Sequence, residues 1–264
     1  MARIVTPFSG RSLVEWTDVL QRAAAPDERY RALLAVKSLG SVDETIAWSR
    51  HSLGDGDSAV RALAAKMLGE SKRLGATNTT SWDDIANELA ARLSDSDIDV
   101  RFEAARAMGR VRGGDASARD VLLSLLAEEE IQPLMLASVV TALAERTDVD
   151  LAALAPRYGM LLAHEQAEVR EGVSAAVAAW GLPAAALIDP LVIALDDEEP
   201  LVRENAALAL GRAGVASEVV ASALRTASAD EDEVVASVAR DALIQLGLSN
   251  GCAARNRMRP QQTI

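Results

Sequence analysis

Several kinds of residue are scarce in this chain, and each scarcity excludes something. One cysteine, Cys252, stands among 264 residues, so neither an internal disulfide framework nor a multi-cysteine metal cluster is possible. Two histidines, His51 and His164, leave little for an imidazole-ligated metal. Aromatic residues make up 3% of the chain. No stretch approaches the roughly 18 apolar residues of a membrane span, and Met1 to Gly10 has no apolar core of a secretory signal. The expected location is cytoplasmic. Bases are also short: 27 Lys and Arg face 39 Asp and Glu, a net charge of −12. That balance argues against tracking a nucleic-acid backbone or an anionic membrane. Phosphate-binding and nucleophile-elbow glycine motifs are missing.

What is present is a repeat. The segments Ala59–Gly69, Asp99–Gly109 and Leu201–Gly211 each place an Arg eight residues before a Gly, with an Ala-Ala pair between them. Weaker copies end at Gly40, Ala144, Ala178 and Gly247, so the steps are 29, 40, 35, 34, 33 and 36 residues. A period in the mid-thirties fits a two-helix unit stacked on its neighbours. Each unit reads as helix A, an acidic turn, helix B and a break. On the third helix B, Val100, Ala104, Ala105 and Met108 share one face. Small Ala pairs let neighbouring helices approach, and Gly109 is expected to end its helix in the left-handed region. Ser12 with Glu15, Ser41 with Glu44, and Ser81 with Asp84 mark helix-A starts, and Pro200 suits a first helical position.

This reading predicts A helices near 12–24, 42–53, 82–93, 116–128, 149–163, 184–195 and 216–228. B helices follow near 27–39, 57–69, 97–111, 131–145, 166–180, 199–213 and 232–247. The expected fold is all-α, a superhelix of about seven helix pairs over 12–247. An N-terminal extension, 1–11, precedes it, and a flexible C-terminal tail, 248–264, carries Arg255, Arg257 and Arg259.

These units resemble HEAT repeats, particularly the short bacterial type of phycobilisome lyase-like proteins. In that type an Asp at the turn precedes an Arg of helix B by six residues, as Asp55/Arg61, Asp95/Arg101 and Asp197/Arg203 do here. Pro156 and Pro190 fall where the family has its helix-A proline. The fifth unit has His164 in place of Asp. The fourth and seventh show Glu130 and Glu233, with Leu136 and Ala239 in place of Arg. The pairs have a structural use: the Asp caps helix B, and the Arg reaches an Asp of its own or the next repeat, making a ladder.

The resemblance also raises enzymatic precedents. HEAT-repeat hydroxylases that bind two metals need several His-Glu pairs, and only His164-Glu165 occurs. The run Asp95, Asp97, Asp99 begins like a calcium loop but has Val100 at the sixth position and Arg106 at the twelfth. HEAT-like glycosylases use a basic, aromatic channel, and only Phe102 is placed for such a face. A bilin lyase role rests on the family alone. The expectation is therefore a non-catalytic binding or scaffold module with no cofactor. A bilin lyase-like activity or a metal-dependent HEAT-repeat enzyme such as a hydroxylase is the alternative.

Twenty of the 39 acids fall at A-to-B turns, while Lys72, Arg73, Arg110, Arg112, Arg146 and Arg212 fall at B-to-A turns. The expected result is a molecule polarised edge to edge. An expected concave stripe on the B helices includes Lys37, Lys66, Arg106, Thr141, Ala175, Leu208 and Ile244, five residues after the repeat Arg position, and Phe102, Glu171, Glu204 and Arg240, one residue after it; it runs from basic in the N-terminal half to apolar in the C-terminal half. The expected partner is a protein, steered through a basic segment by Asp196, Asp197, Glu198 and Glu199 and anchored on Phe102, Leu208 and Ile244.

Overall fold

The computed structural model describes residues 8, 10–74, 81–128, 130–180 and 185–248. Among them the chain is all-α, with fourteen α-helices and no strand. The A helices are α1 (Leu13–Arg22), α3 (Val42–Ser52), α5 (Trp82–Ala90), α7 (Ala116–Ala127), α9 (Leu151–Leu161), α11 (Ile188–Ala194) and α13 (Glu218–Ala227). The B helices are α2 (Pro26–Leu39), α4 (Ser58–Arg73), α6 (Ile98–Val111), α8 (Pro133–Ala144), α10 (Ala167–Trp180), α12 (Pro200–Ala213) and α14 (Glu233–Gln245). Observed ends lie within a few residues of the predicted ones. The tail beyond 248 and Cys252 lie outside the described residues, as does most of the 1–11 extension.

Two compact units result, one of residues 1–130 with 145–149 and the other of 131–144 with 150–264. The first holds α1 to α7, with α2 against α4 and α4 against α6. The second holds α8 to α14, with α8, α10, α12 and α14 packed in succession. In each unit the B helices touch along alanine and leucine faces. Ala64, Ala65, Leu68, Ala104 and Ala105 are fully buried in the first, and Val173, Ala206, Ala207 and Leu210 in the second.

Helix starts follow their caps. Ser12 and Ser41 form full capping boxes with Glu15 and Glu44. Ser81 accepts the N–H of Asp84, and Pro200 opens α12. The glycine of the repeat does not end the helix, contrary to expectation. Gly69, Gly109 and Gly211 lie inside α4, α6 and α12. Two of them let the next B helix approach. A Cβ on Gly69 would stand 2.9 Å from Ala107 Cα, and one on Gly211 would stand 2.9 Å from Ala242 Cβ. The left-handed stop of α12 falls three residues later, at Gly214 with φ 68°.

Candidate functional site

Two sets of polar residues run across the repeats: the arginines beneath the A-to-B turns and the outward side chains of the B helices. They do different work.

The arginines form the ladder. In the first unit Arg29 grips Asp55 of the next repeat through Nε and Nη2, at 2.8 and 2.7 Å. Arg61 grips Asp95 at 2.9 and 2.8 Å, and Arg101 reaches Glu128 at 3.5 Å. In the second unit Arg170 grips Asp197 and Arg203 grips Asp230. Each guanidinium also donates to the carbonyl oxygen six residues before it, as Arg61 does to Asp55 and Arg203 to Asp197. So the link within a repeat uses the main chain, and the link between repeats uses the carboxylate. The Arg beside each holds the carboxyls of Asp55, Asp95 and Asp230 below the usual range, since charge-assisted bonds favour the ionised form.

Three expectations change here. The helix-capping acid and the ladder acid are separate residues. Asp57, Asp97 and Asp232 cap α4, α6 and α14. Asp55, Asp95 and Asp230, two residues earlier, take the Arg and close the turn onto that residue's N–H. The outer copies also shift by three residues: Arg29 carries the first rung, and Asp230 with Ala236 replaces Glu233 with Ala239. In the fourth unit Glu128, not Glu130, is the acid that Arg101 reaches. In the fifth, His164 Nδ1 accepts the N–H of Gln166 and closes the turn as an Asp would.

The basic edge is largely spent inside the fold. Arg110 pairs with Glu145, Arg112 with Asp83 and Arg146 with Asp148, while Lys72 sits over the Trp82 ring at 4.5 Å. Arg212 donates to the carbonyl oxygen of Ala178. Asp197 is engaged by Arg170, which Glu198 also meets at 3.0 Å. Of the four acids assigned to steering, Asp196 and Glu199 have no ion-pair partner among the described residues.

The outward B-helix face differs between the units. In the first it is charged but internally paired. Lys37 meets Glu70 at 2.6 Å, and Arg106 meets Glu103 at 2.8 Å, where burial pushes the Glu103 carboxyl up against the pull of Arg106. Lys66 is exposed. Phe102, expected as an anchor on this face, is 4% exposed beneath the Arg106 guanidinium and belongs to the core. The expected basic end is thus a nearly neutral surface.

In the second unit this face holds unpaired carboxylates among aliphatics. Leu201, Glu204, Asn205 and Leu208 stand at i, i+3, i+4 and i+7 on α12, one side of a helix. The neighbouring helices contribute Glu171 and Ala175 from α10, and Val234, Ser237, Asp241 and Ile244 from α14. Leu201 and Val234 are each 54% exposed and Ile244 61%. Leu208, Glu171 and Glu204 are half-buried, and Asp241 is exposed. None of the three acids has an ion-pair partner among the described residues. Arg240 turns away to the carbonyl oxygen of Ser228. On α8 the Thr141 hydroxyl is exposed but donates to Ala137, one turn back. The expected apolar end is therefore apolar and acidic. The sequence places Glu171 and Glu204 on this face but not Asp241, because its repeat spacing sets the last copy three residues late and Ile244 stands in its place.

A cleft of about 420 Å³ lies elsewhere in the second unit, with Gly159, Leu162, Pro190 and Ile193 along it. Its polar groups include Arg170 and Asp197, which already hold each other. Among the described residues no group of His, Cys, Asp and Glu is placed to hold a metal ion, and no helix is long and apolar enough to cross a membrane.

Comparison with known proteins supports the repeat. A family model described as HEAT repeats matches residues 154–244. A search of curated proteins finds no match. Among solved structures, an engineered protein shares 20% identity with a TM-score of 0.62, over 89% of this chain and 68% of its own. Computationally designed armadillo repeat proteins for modular peptide recognition share 20% identity with a TM-score of 0.53, over 76% and 99%. The archaeal HEAT-like repeats protein from Thermococcus onnurineus NA1 shares 15% identity with a TM-score of 0.52, over 91% and 99%. At these identities the likeness is one of fold.

Proposed function

We propose, from the premise that the chain is a HEAT-repeat protein, that it is a non-catalytic binding module whose second unit takes a basic, aliphatic-bearing segment of a partner protein on its B-helix face. The observation that carries this reading is the contrast between the two faces. The B-helix face of the first unit pairs Lys37 with Glu70 and Arg106 with Glu103, whereas that of the second holds Glu171, Glu204 and Asp241, without ion-pair partners among the described residues, beside exposed aliphatics on α12 and α14. A solvated surface gains nothing from leaving Leu201, Val234 and Ile244 out together. Apolar anchors rimmed by one charge suit a segment with long cationic side chains, whose methylene stems cover the aliphatics while their heads meet the carboxylates. The designed armadillo neighbour, made for peptide recognition, supports such a use of the fold. The partner class is protein, and neither a nucleic acid nor an anionic membrane suits the acidic surface.

The test uses synthetic peptides that alternate Arg with Leu or Ala, with fluorescence anisotropy as readout. Binding to the wild-type chain should weaken about tenfold or more in a Glu171→Gln, Glu204→Gln, Asp241→Asn variant, roughly a loss of 1.4 kcal/mol. Leu208→Ser should weaken it by faster dissociation. Binding that ignores both changes would refute the assignment of this face.

A further inference from the structure

We infer that the face on α10, α12 and α14 is covered, in the free chain, by the chain's own residues 249–264, which a partner must displace. The inference rests on the reading just given, since it fills the same surface.

Charge complementarity picks the occupant. Segment 249–264 contains Arg255, Arg257 and Arg259 and no acid, in a chain whose net charge is −12. The face offers Glu171, Glu204 and Asp241 without partners among the described residues. The arginines stand at every second position, so an extended chain would turn all three to one side, about 6.6 Å apart. Packed helices present their acids about 8–10 Å apart, and the flexible Arg side chains absorb the difference.

The point of attachment allows it. After α14 the chain reverses at Gly247, with φ 69°, and the Leu248 N–H bonds the Leu243 carbonyl. Asp241 lies about 10 Å back along the helix from Leu248 at 1.5 Å per residue, with the exposed Ile244 between them. An extended chain covers about 23 Å by Arg255 and about 36 Å by Arg259. Glu204, one helix over, and Glu171, two helices over, both fall within that reach. Three exposed ion pairs bind weakly by themselves. Tethering raises the local concentration to the order of millimolar, so a segment with a Kd near 0.1 mM in isolation would cover the face about ten times in eleven.

Cys252 provides the test, because it is the only thiol and lies within the segment. A nitroxide attached there should broaden the amide signals of Leu208, Asp241 and Ile244 in the monomeric full chain. The effect should vanish in an Arg255→Glu, Arg257→Glu, Arg259→Glu variant and in 1 M salt, where the screening length falls to about 3 Å. Broadening confined to Gln245–Leu248, or unchanged in the variant, would overturn the inference. As a second arm, a peptide of residues 249–264 should bind the triple-Glu chain about tenfold tighter than the wild type. Equal affinity for both chains, or none for either, sinks self-coverage. The binding-module reading falls only if the Arg/Leu peptides also fail to bind.

Discussion

Consider removing one partner of a ladder rung. Arg203 and Asp230 retain 9% and 11% side-chain exposure, and the guanidinium makes four hydrogen bonds: two to Asp230, and one each to the carbonyl oxygens of Asp197 and Glu198. Arg203→Met keeps much of the stem and deletes all four. Asp230 then keeps its carboxylate in a recessed site with only the Asp232 N–H, at 2.8 Å, to satisfy it. Breaking such a pair on one side costs about 3–5 kcal/mol, because the remaining charge is uncompensated. Asp230→Asn removes that charge but retains an oxygen for the Asp232 N–H. The double variant should therefore be little worse than Arg203→Met alone, with a coupling of about 2 kcal/mol. The Arg225–Glu218 pair, 42% and 84% exposed, serves as control, with an expected coupling below about 0.5 kcal/mol. Urea unfolding followed by circular dichroism gives the values. A coupling below about 0.5 kcal/mol for the buried pair would show that the ladder does not join the repeats energetically.

Acid provides an independent check on the same rung. The Arg203 bond holds the Asp230 carboxyl below its ordinary range. A carboxyl with a depressed folded-state pKa binds its proton more readily when unfolded, so it adds stability above the unfolded value of about 3.9. That contribution is lost as pH falls through the folded pKa. The stability gap between wild type and Arg203→Met should thus be full at pH 7 and narrow as pH drops below about 4. A gap that is equal at pH 7 and pH 3 would mean that packing, not ionic pairing, carries the effect.

Two further predictions concern how the repeats meet. Gly211→Ala places a Cβ 2.9 Å from Ala242 Cβ and 3.0 Å from its Cα, so it should destabilise by about 1–2 kcal/mol despite the better helix propensity of Ala. Gly56→Ala, with nothing within 4 Å, should change thermal stability by less than about 0.5 kcal/mol. The ladder lacks a rung where Leu136 and His164 stand at the Arg and Asp positions. Leu136→Arg alone buries an unpaired cation at a site now 4% exposed, and adding His164→Asp should recover at least half of the lost stability in the same unfolding assay.

The helix pairs were legible because their period is local. Caps such as Ser41 with Glu44, and buried faces such as Val100, Ala104, Ala105 and Met108, are written within a dozen residues. The partners of the arginines were only half legible. The spacing of Asp55 to Arg61 leaves an Asp of the same or of the next repeat open as partner; the structure uses that spacing for a main-chain contact and sends the guanidinium to Asp95. The role of Gly109 was misread for a related reason. A glycine near a helix end has two uses, and only the chain that follows decides between them: at Gly109 it is the Arg146 side chain, beyond α8, whose Nη1 comes to 3.0 Å of a would-be Cβ. Phe102 failed as a surface anchor because one helical position cannot show that Arg106 folds back over the ring.

The acids separate in the same way once each is asked what it holds. Asp55, Asp95, Asp197 and Asp230 take arginines, and Asp57, Asp97 and Asp232 cap helices. These account for seven of the twenty turn acids without any partner. The missing rung argues the same point from the other side. Where His164 replaces the acid, Leu136 replaces the arginine that would have met it, as expected if each exists for the other. A carboxylate that the fold does not use is then the informative one. Glu171, Glu204 and Asp241 neither cap a helix nor hold a rung, and they gather on one face with Leu201, Leu208, Val234 and Ile244. Folding has no evident need of that combination, so its use is sought in what the face binds.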